Sequence, residues 1–183
     1  MEEIYYAGIG STKTPYYIVE YFEKLGLFFA KKGLILRSGH AKGSDQAFEK
    51  GCDRIYGKKE IYIPYKNYQG SNSSLIFCNP NAYLIAKKFR GDWGGLSFNI
   101  KKLLARNCHQ ILGKNLNKPS SFVICWTQNG EIKGGTGLSI KVAKSYNIPV
   151  FNAGKYNNID EIKKELKKFL IDNKIFLEED FLK

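Results

Sequence analysis

Three glycine-bearing turns hold the residues of this chain best suited to chemistry. They are Gly8-Ile9-Gly10-Ser11-Thr12, then Ser38-Gly39-His40-Ala41-Lys42-Gly43-Ser44-Asp45, then Gly134-Gly135-Thr136-Gly137. Glycine lets a backbone amide approach a phosphate closely, a following helix offers free N–H groups and a positive dipole end, and Ser and Thr add hydroxyl donors. The chemistry is anion binding, with Gly8, Gly10, Ser11, Thr12, Ser38, Gly39, Lys42, Gly43, Ser44, Gly134, Gly135 and Thr136 as its candidate residues. Any one of these turns also fits an ordinary tight turn; their recurrence is what carries the argument.

Several side chains beside the turns have two readings each. His40 is a general acid/base or ligand contact, its ordinary pKa lying near 6.5, or else part of a turn lined by backbone. Asp45 is a favourable acid in the first turn of a helix, or a partner for a ribose hydroxyl or a base amine. Asn107 interrupts an apolar helical stripe formed by Ile100, Leu103, Leu104 and Ile111, with Arg106 and Gln110 together on the adjacent face. Arg106 could grip a phosphate with two N–H groups, and the amides could contact a ligand; the alternative is a helix hydrogen-bonded to a neighbouring loop. Trp126, at the end of an apolar run, either stacks on a base or fills the core.

The elements that must position these residues alternate. Ile4–Gly10 reads as a buried strand, and Thr14-Pro15 as a helix start with Thr as cap and Pro at the first helical position. Ile18, Phe22, Leu25 and Phe29 follow at helical spacing, closed by Gly33. Leu34–Leu36 is a second strand, a helix carries Ala47, Phe48, Cys52 and Ile55 inward, and Ile61–Pro64 is a third strand. Tyr65–Asn81 is a polar excursion of the kind that is functional or mobile. Helices are predicted over Pro80–Phe89, Phe98–Leu112, Thr136–Tyr146 and Ile159–Asn173, the last capped by Asn158, with strands at Phe122–Trp126 and Pro149–Asn152. Such alternation implies an α/β fold, a mostly parallel sheet flanked by helices. Ligands of such sheets sit beyond the carboxyl ends of the strands, where this order would gather the turns into one cleft for a phosphate or nucleotide. No repeat or linker divides the chain, so residues 1–183 read as one domain: a core over about 4–152, a basic helical insertion over 54–118, and a C-terminal helix and tail over 158–183.

Composition narrows the function. With 183 residues, 43% apolar and 14% aromatic, the chain can bury a full core and is not disordered. No apolar run approaches the ~20 residues that span a bilayer, and the acidic start Met1-Glu2-Glu3 is neither a signal nor a transit peptide. Cys52, Cys78, Cys108 and Cys125 are scattered without a Cys-x-x-Cys pair and there are only two His, which argues against a structural zinc site and for cytoplasmic thiols. No metal and no cofactor are expected. The charge is +12, from 29 Lys and Arg against 17 Asp and Glu; 12 of those basic residues but only 2 of the acidic ones fall between Arg54 and Lys118, leaving 17 and 15 elsewhere. Concentrated charge fits a polyphosphate-attracting wall beside the cleft, or a track for single-stranded nucleic acid. There is no third glycine for the dinucleotide fingerprint, no Gly-Lys-Ser/Thr and no Gly-x-Ser-x-Gly, which sets aside an ordinary dehydrogenase, kinase or esterase.

These motifs resemble the SLOG superfamily of Rossmann-like folds, which includes DNA processing protein A, the phosphoribohydrolases called lysine decarboxylase-like, and nucleotide-sensing domains of antiviral systems. The resemblance lies in Gly8–Ser11, in Ser38–Glu49, similar to the Ser-Gly-x-Ala-x-Gly-x-Asp signature of DNA processing protein A, and in Lys133–Thr136 after Trp126-Thr127. It covers about residues 4–152. The run Arg106-Asn107-x-x-Gln110-x-Leu112-Gly113 is similar to phage and bacterial members of unassigned activity. The resemblance implies a single Rossmann-like domain, a cleft that also takes in Thr127, and a nucleotide-type small molecule as partner. It also implies association into homo-oligomers through helices. The phosphoribohydrolases carry a glutamate after their last glycine turn that takes part in N-glycosidic cleavage. Here Gly134–Ile140 has none, and Glu131, before the glycines, substitutes only if its loop folds inward. The expectation is therefore a binder of an ADP-ribose-type or nucleoside phosphate ligand. A nucleotide N-glycoside hydrolase or transferase, with Asp45, His40 or Glu131 as catalytic candidates, and a single-stranded DNA binder like the recombination mediator are the alternatives.

Overall fold

Strand β1 (Tyr5–Gly10) lies at the centre of the molecule because its small and β-branched residues can be buried on both faces. The computed structural model describes residues 3–76 and 79–177; Met1, Glu2, Cys78 and the last six residues of the expected tail lie outside them. From β1 the chain passes through α1 (Tyr16–Lys31) to β2 (Ile35–Ser38), then through α2 (Ser44–Asp53) to β3 (Lys59–Ile61). It then crosses over by α3 (Pro80–Lys88) and α4 (Phe98–Leu112) to β4 (Phe122–Trp126), α5 (Gly134–Ser145), β5 (Val150–Asn152) and α6 (Ile159–Asp172). All pairings are parallel, in the order β3-β2-β1-β4-β5, a single Rossmann-like sheet. The segment 54–118 thus contributes β3 to the sheet as well as α3 and α4.

Alternation along the strands divides the core into two layers. Tyr6, Leu36, Phe122 and Ile124 pack with Phe22, Phe29 and Phe48 of α1 and α2 and with Ile162 and Leu166 of α6. Ala7, Ile9, Val123 and Cys125 face Ala82, Leu104, Ile111, Leu138 and Val142 of α3, α4 and α5. Helices α1 and α2 cross closely because Gly26 and Gly51 carry no Cβ, which at either position would collide with a backbone carbonyl of the other helix.

Three local expectations are corrected. The third strand is Lys59–Ile61, paired with Leu36–Ser38, and not Ile61–Pro64. Thr14 does not cap α1; Pro15 occupies the cap position, and the Thr14 hydroxyl donates to Ser11 O (2.5 Å) and pairs with Ser44 Oγ (2.8 Å). The hydroxyl joins two glycine turns instead of closing a helix end. Ile55 does not point inward, because α2 ends at Asp53 and the following turn leaves it 39% exposed. Among the described residues, no helix is long and apolar enough to cross a membrane.

Candidate functional site

The chain runs from β1 to one side of the sheet and returns to the other at β4, so a crevice opens beyond the carboxyl ends of these two strands. A cavity of about 540 Å³ occupies it. One wall is the turn Gly10-Ser11-Thr12-Lys13, fixed to β4 by Ser11 N–H donating to Trp126 O (3.1 Å). The opposite wall is the start of α5, Gly134-Gly135-Thr136, approached from Lys133 in extended conformation without any side-chain cap. Thr127, Gln128 and Glu131 close one end. Helix α4 provides the remaining wall with Ile100, Leu103 and Leu104 above Arg106, Asn107 and Gln110.

Asp45 organises the floor. Its carboxylate accepts from Gly10 N–H (3.0 Å), from Gly39 N–H (3.1 Å) and from Gln110 Nε2 (3.1 Å). One buried side chain thereby ties the first glycine turn, the second glycine turn and α4 together. Burial pushes its carboxyl up to about 6, against the opposing pull of the Arg106 charge and these hydrogen bonds. Arg106, also buried, donates through Nη1 to Gly39 O and to Tyr62 O (3.0 Å), and through Nε to Asn107 Oδ1 (3.0 Å); its guanidinium lies over the Tyr68 ring. Asn107 Nδ2 donates in turn to Gly135 O (3.2 Å) at the start of α5. The polar residues on α4 therefore hold the second glycine turn, the start of α5 and, through Asp45, the first glycine turn in register, while Asn152 holds Thr127.

The structure brings together Gly10, Ser11, Thr12, Asp45, Arg106, Asn107, Gln110, Thr127, Glu131, Gly134, Gly135 and Thr136 around the cavity. The Glu131 loop does reach it, but the carboxylate is paired with Lys133 (2.8 Å). The two-pronged grip on phosphate expected of Arg106 is not available, because Nε and Nη1 are both engaged within the protein. Other expected residues lie elsewhere. Gly8 is packed against the Phe48 ring, Ser38 donates to Gly8 O (2.6 Å), and Gly39 is sandwiched between Asp45 and Arg106. Gly43 backs onto Ser11 O, Ser44 bonds Thr14, and Lys42 is not among the cavity's lining residues, its backbone N–H donating to Gln69 Oε1 (2.9 Å). Trp126 belongs to the core on the α1 and α2 side, so it offers no face to a base in the cleft.

His40 is the largest displacement. Its backbone is left-handed (φ 59°), and its ring lines a separate groove of about 550 Å³, where Nδ1 pairs with Glu49 Oε2 (2.6 Å). Lys59 braces the same carboxylate from the other side (2.9 Å). As an acid or base for the cleft it is in the wrong place.

Nothing in the sequence pointed to Ile9, Lys13, Ala41, Gln128, Lys133 and Ser139 as lining residues, and it placed Ile100, Leu103 and Leu104 on an apolar stripe without assigning them to the cleft; Leu104 is both core and lining. For Ile100 a signal was present, since it lies in the first turn of α4 at the end of the stripe, and the structure leaves it 43% exposed. Among the described residues, no group of three or more His, Cys, Asp or Glu is placed to hold a metal ion.

Comparison with family models and with curated proteins finds no match. Solved structures do match over nearly the whole chain. DNA processing protein A from Helicobacter pylori, described for its single-stranded DNA binding mode, is 19% identical, with 92% of this chain and 81% of that one covered and a TM-score of 0.55. The Moco carrier protein of Chlamydomonas rheinhardtii is 16% identical, with 92% and 84% covered and a TM-score of 0.54. A second structure of the molybdenum cofactor carrier protein from Chlamydomonas reinhardtii is 17% identical over 91% and 84%, with a TM-score of 0.50. What is shared at these identities is the fold: one α/β domain with a Rossmann-like parallel sheet, as in DNA processing protein A, to which the motifs also point.

Proposed function

We propose that this protein binds a nucleotide or nucleotide-derived ligand, of nucleoside phosphate or ADP-ribose type, in the cleft between β1 and α5, and holds it without turning it over. The observation that carries this reading is the arrangement of the two glycine walls. The uncapped first turn of α5 and the Ser11-Thr12 turn face the same cavity, with Lys13 and Lys133 at the rim. The N–H groups of Gly10, Ser11 and Lys13 are engaged within the protein, which leaves those of Thr12, Gly135 and Thr136 for an anion. The opposite, apolar end at Ile100 and Leu103 suits a base or another flat group. That solved neighbours of this fold include a molybdenum cofactor carrier supports a carrier-like or sensing role. Hydrolysis has less support, since the Asp45 oxygens are held by three donors and Glu131 by Lys133. The test is mass spectrometry of small molecules released from the purified protein, followed by calorimetric titration with nucleoside mono- and diphosphates and ADP-ribose. Recovery of a phosphate-bearing ligand, bound in preference to its dephosphorylated form and released unchanged, is the expected outcome. Equal binding of both forms, or none, refutes it.

A second reading draws on the α3–α4 surface. Phe98 is 64% exposed with Lys102 4.7 Å from its ring centre, Lys101 stands over Trp93, and Lys87 and Lys88 end α3 nearby. Aromatic rings with interleaved cations suit single-stranded nucleic acid, the ligand for which the Helicobacter protein is described. Affinity for an oligonucleotide that falls steeply with salt, and falls again when Lys87, Lys88 and Arg90 are neutralised, would support this use of the surface; indifference to both would eliminate it.

A further inference from the structure

Among the described residues, Asp45 and Asn107 on the cleft floor use both of their polar side-chain atoms to hold the loops, and Arg106 uses Nε and Nη1; Gln110 differs. It is 2% exposed, lines the cavity from the fourth turn of α4, and donates through Nε2 to Asp45 Oδ2 (3.1 Å). The orientation of its amide follows from chemistry: an ionised carboxylate only accepts, so the nitrogen must face Asp45. Oε1 is left with no partner among the described residues. Asn107, one turn earlier, differs, with Oδ1 accepting from Arg106 and Nδ2 donating to Gly135 O.

Oε1 is not sealed off from the cavity, so solvent can donate to it while the cleft is open, but a ligand that displaces this solvent must donate in its place or leave the acceptor unpaired. We infer that Gln110 Oε1 is the specificity-determining contact of the cleft, selecting ligands that place an O–H or N–H donor at the floor while their phosphate rests on the first turn of α5. This assignment rests on the nucleotide reading above. Two parts of a nucleotide can supply the donor, a ribose hydroxyl or an exocyclic amine of the base. In either case a ligand lacking that one group leaves Oε1 unpaired, and a site built around a hydrogen bond rejects the analogue without it more strongly than an apolar site rejects a missing methylene.

The experiment uses the full chain and calorimetric titration with AMP and GMP, their 2′-deoxy and 3′-deoxy forms, and the amine-free purine riboside 5′-monophosphate and IMP. One analogue of the bound nucleotide is expected to bind the wild type about 10-fold or more weakly. A weakened deoxy form identifies the sugar as donor, and a weakened amine-free form the base. In Gln110→Met, which keeps the volume and removes both polar atoms, that discrimination is expected to shrink to about 2-fold or less. Analogues that all bind the wild type within about 3-fold of the parent overturn the assignment, as does discrimination that survives Gln110→Met. Should Gln110→Met fail to fold, judged by circular dichroism, the wild-type series decides alone. If neither AMP nor GMP binds the wild type, the purine nucleotide reading itself fails and the assignment with it; if the parent binds and no analogue is weakened, only the assignment fails.

Discussion

Replacing Asp45 with asparagine tests the clamp at the centre of the site. The side chain keeps its shape and burial, but one of its two acceptor oxygens becomes an NH2 group facing Gly10 N–H, or Gly39 N–H and the Gln110 amide. Lost hydrogen bonds to a charged group cost about 1.5–3 kcal/mol each, while removal of a buried charge returns a similar amount, so the net change at one pH is poorly diagnostic. The dependence on pH is diagnostic. Burial lifts the Asp45 carboxyl from its ordinary 3.8 to about 6, so between these values the folded protein binds a proton that the unfolded chain does not. Stability from this group therefore rises as pH falls through 6 and levels off below 3.8, a total of roughly 3 kcal/mol, of which about 2 kcal/mol is reached by pH 4.5. Asparagine does not titrate. The stability of the wild type minus that of Asp45→Asn should then increase by about 2 kcal/mol between pH 7.5 and pH 4.5, whatever the other carboxylates contribute to both proteins. Urea unfolding followed by the fluorescence of Trp93 and Trp126 at several pH values measures it. A difference that stays flat, or that shrinks as pH falls, would show that Arg106 and the three donors outweigh burial, and would refute this account of the clamp.

Three further outcomes follow from the same geometry. Gly39→Ala places a methyl group inside the Arg106 guanidinium and 2.6 Å from Gln110 Nε2, so thermal unfolding should show a loss of about 3 kcal/mol or more, or no folded protein. Lys13→Ala and Lys133→Ala leave stability unchanged, but each should weaken binding of a phosphate-bearing ligand by about 3- to 10-fold at low salt and less at high salt, as titrations at two ionic strengths would show. His40→Ala empties the neighbouring groove and should leave nucleotide affinity within about 2-fold; a larger loss would return His40 to the binding site.

Most of the sheet was legible because β1, β2, β4 and β5 are short apolar runs, and the bounds of α4 and β4 match their periodicity. The third strand was not, since it lies at Lys59–Ile61, where Lys59 and Glu60 of an edge strand break the apolar pattern, and not at Ile61–Pro64. The cleft was legible for the same reason: strand ends of a parallel sheet must converge, so the first and third glycine turns had to meet. The second turn did not follow. Its motif is as rich in glycine and hydroxyls as the others, but Ser38, Gly39 and Ser44 form the packing behind the site, and His40 turns outward through a left-handed backbone that no spacing rule predicts. Charge was the least legible. The basic window from Arg54 to Lys118 is compensated in space by acids from outside it: Arg54 by Glu23, Lys58 and Lys118 by Glu3, and Lys59 by Glu49 and Asp53. Counting along a chain cannot see partners that folding brings from the other side of the sheet.

That redistribution bears on what the cleft can recognise. Of the positive charge in the middle of the sequence, the strongest candidate for a phosphate contact was Arg106, which is committed to two carbonyls and an amide; the cations at the rim of the cavity are Lys13 and Lys133, outside the basic window. On the proposed reading, a site whose buried cation fixes loops, and whose rim cations are exposed lysines, one of them (Lys133) already paired with Glu131, orients anions by backbone amides more than by charge, since a lysine ammonium is a mobile point donor and an N–H at a helix start is not. Orientation then depends on how firmly the glycine turns are held, which is the work of Asp45, Arg106 and Asn107. On the nucleotide reading proposed above, the polar stripe on α4 is the scaffold of a backbone-built anion site, with Gln110 Oε1 as the side-chain acceptor it leaves for the ligand.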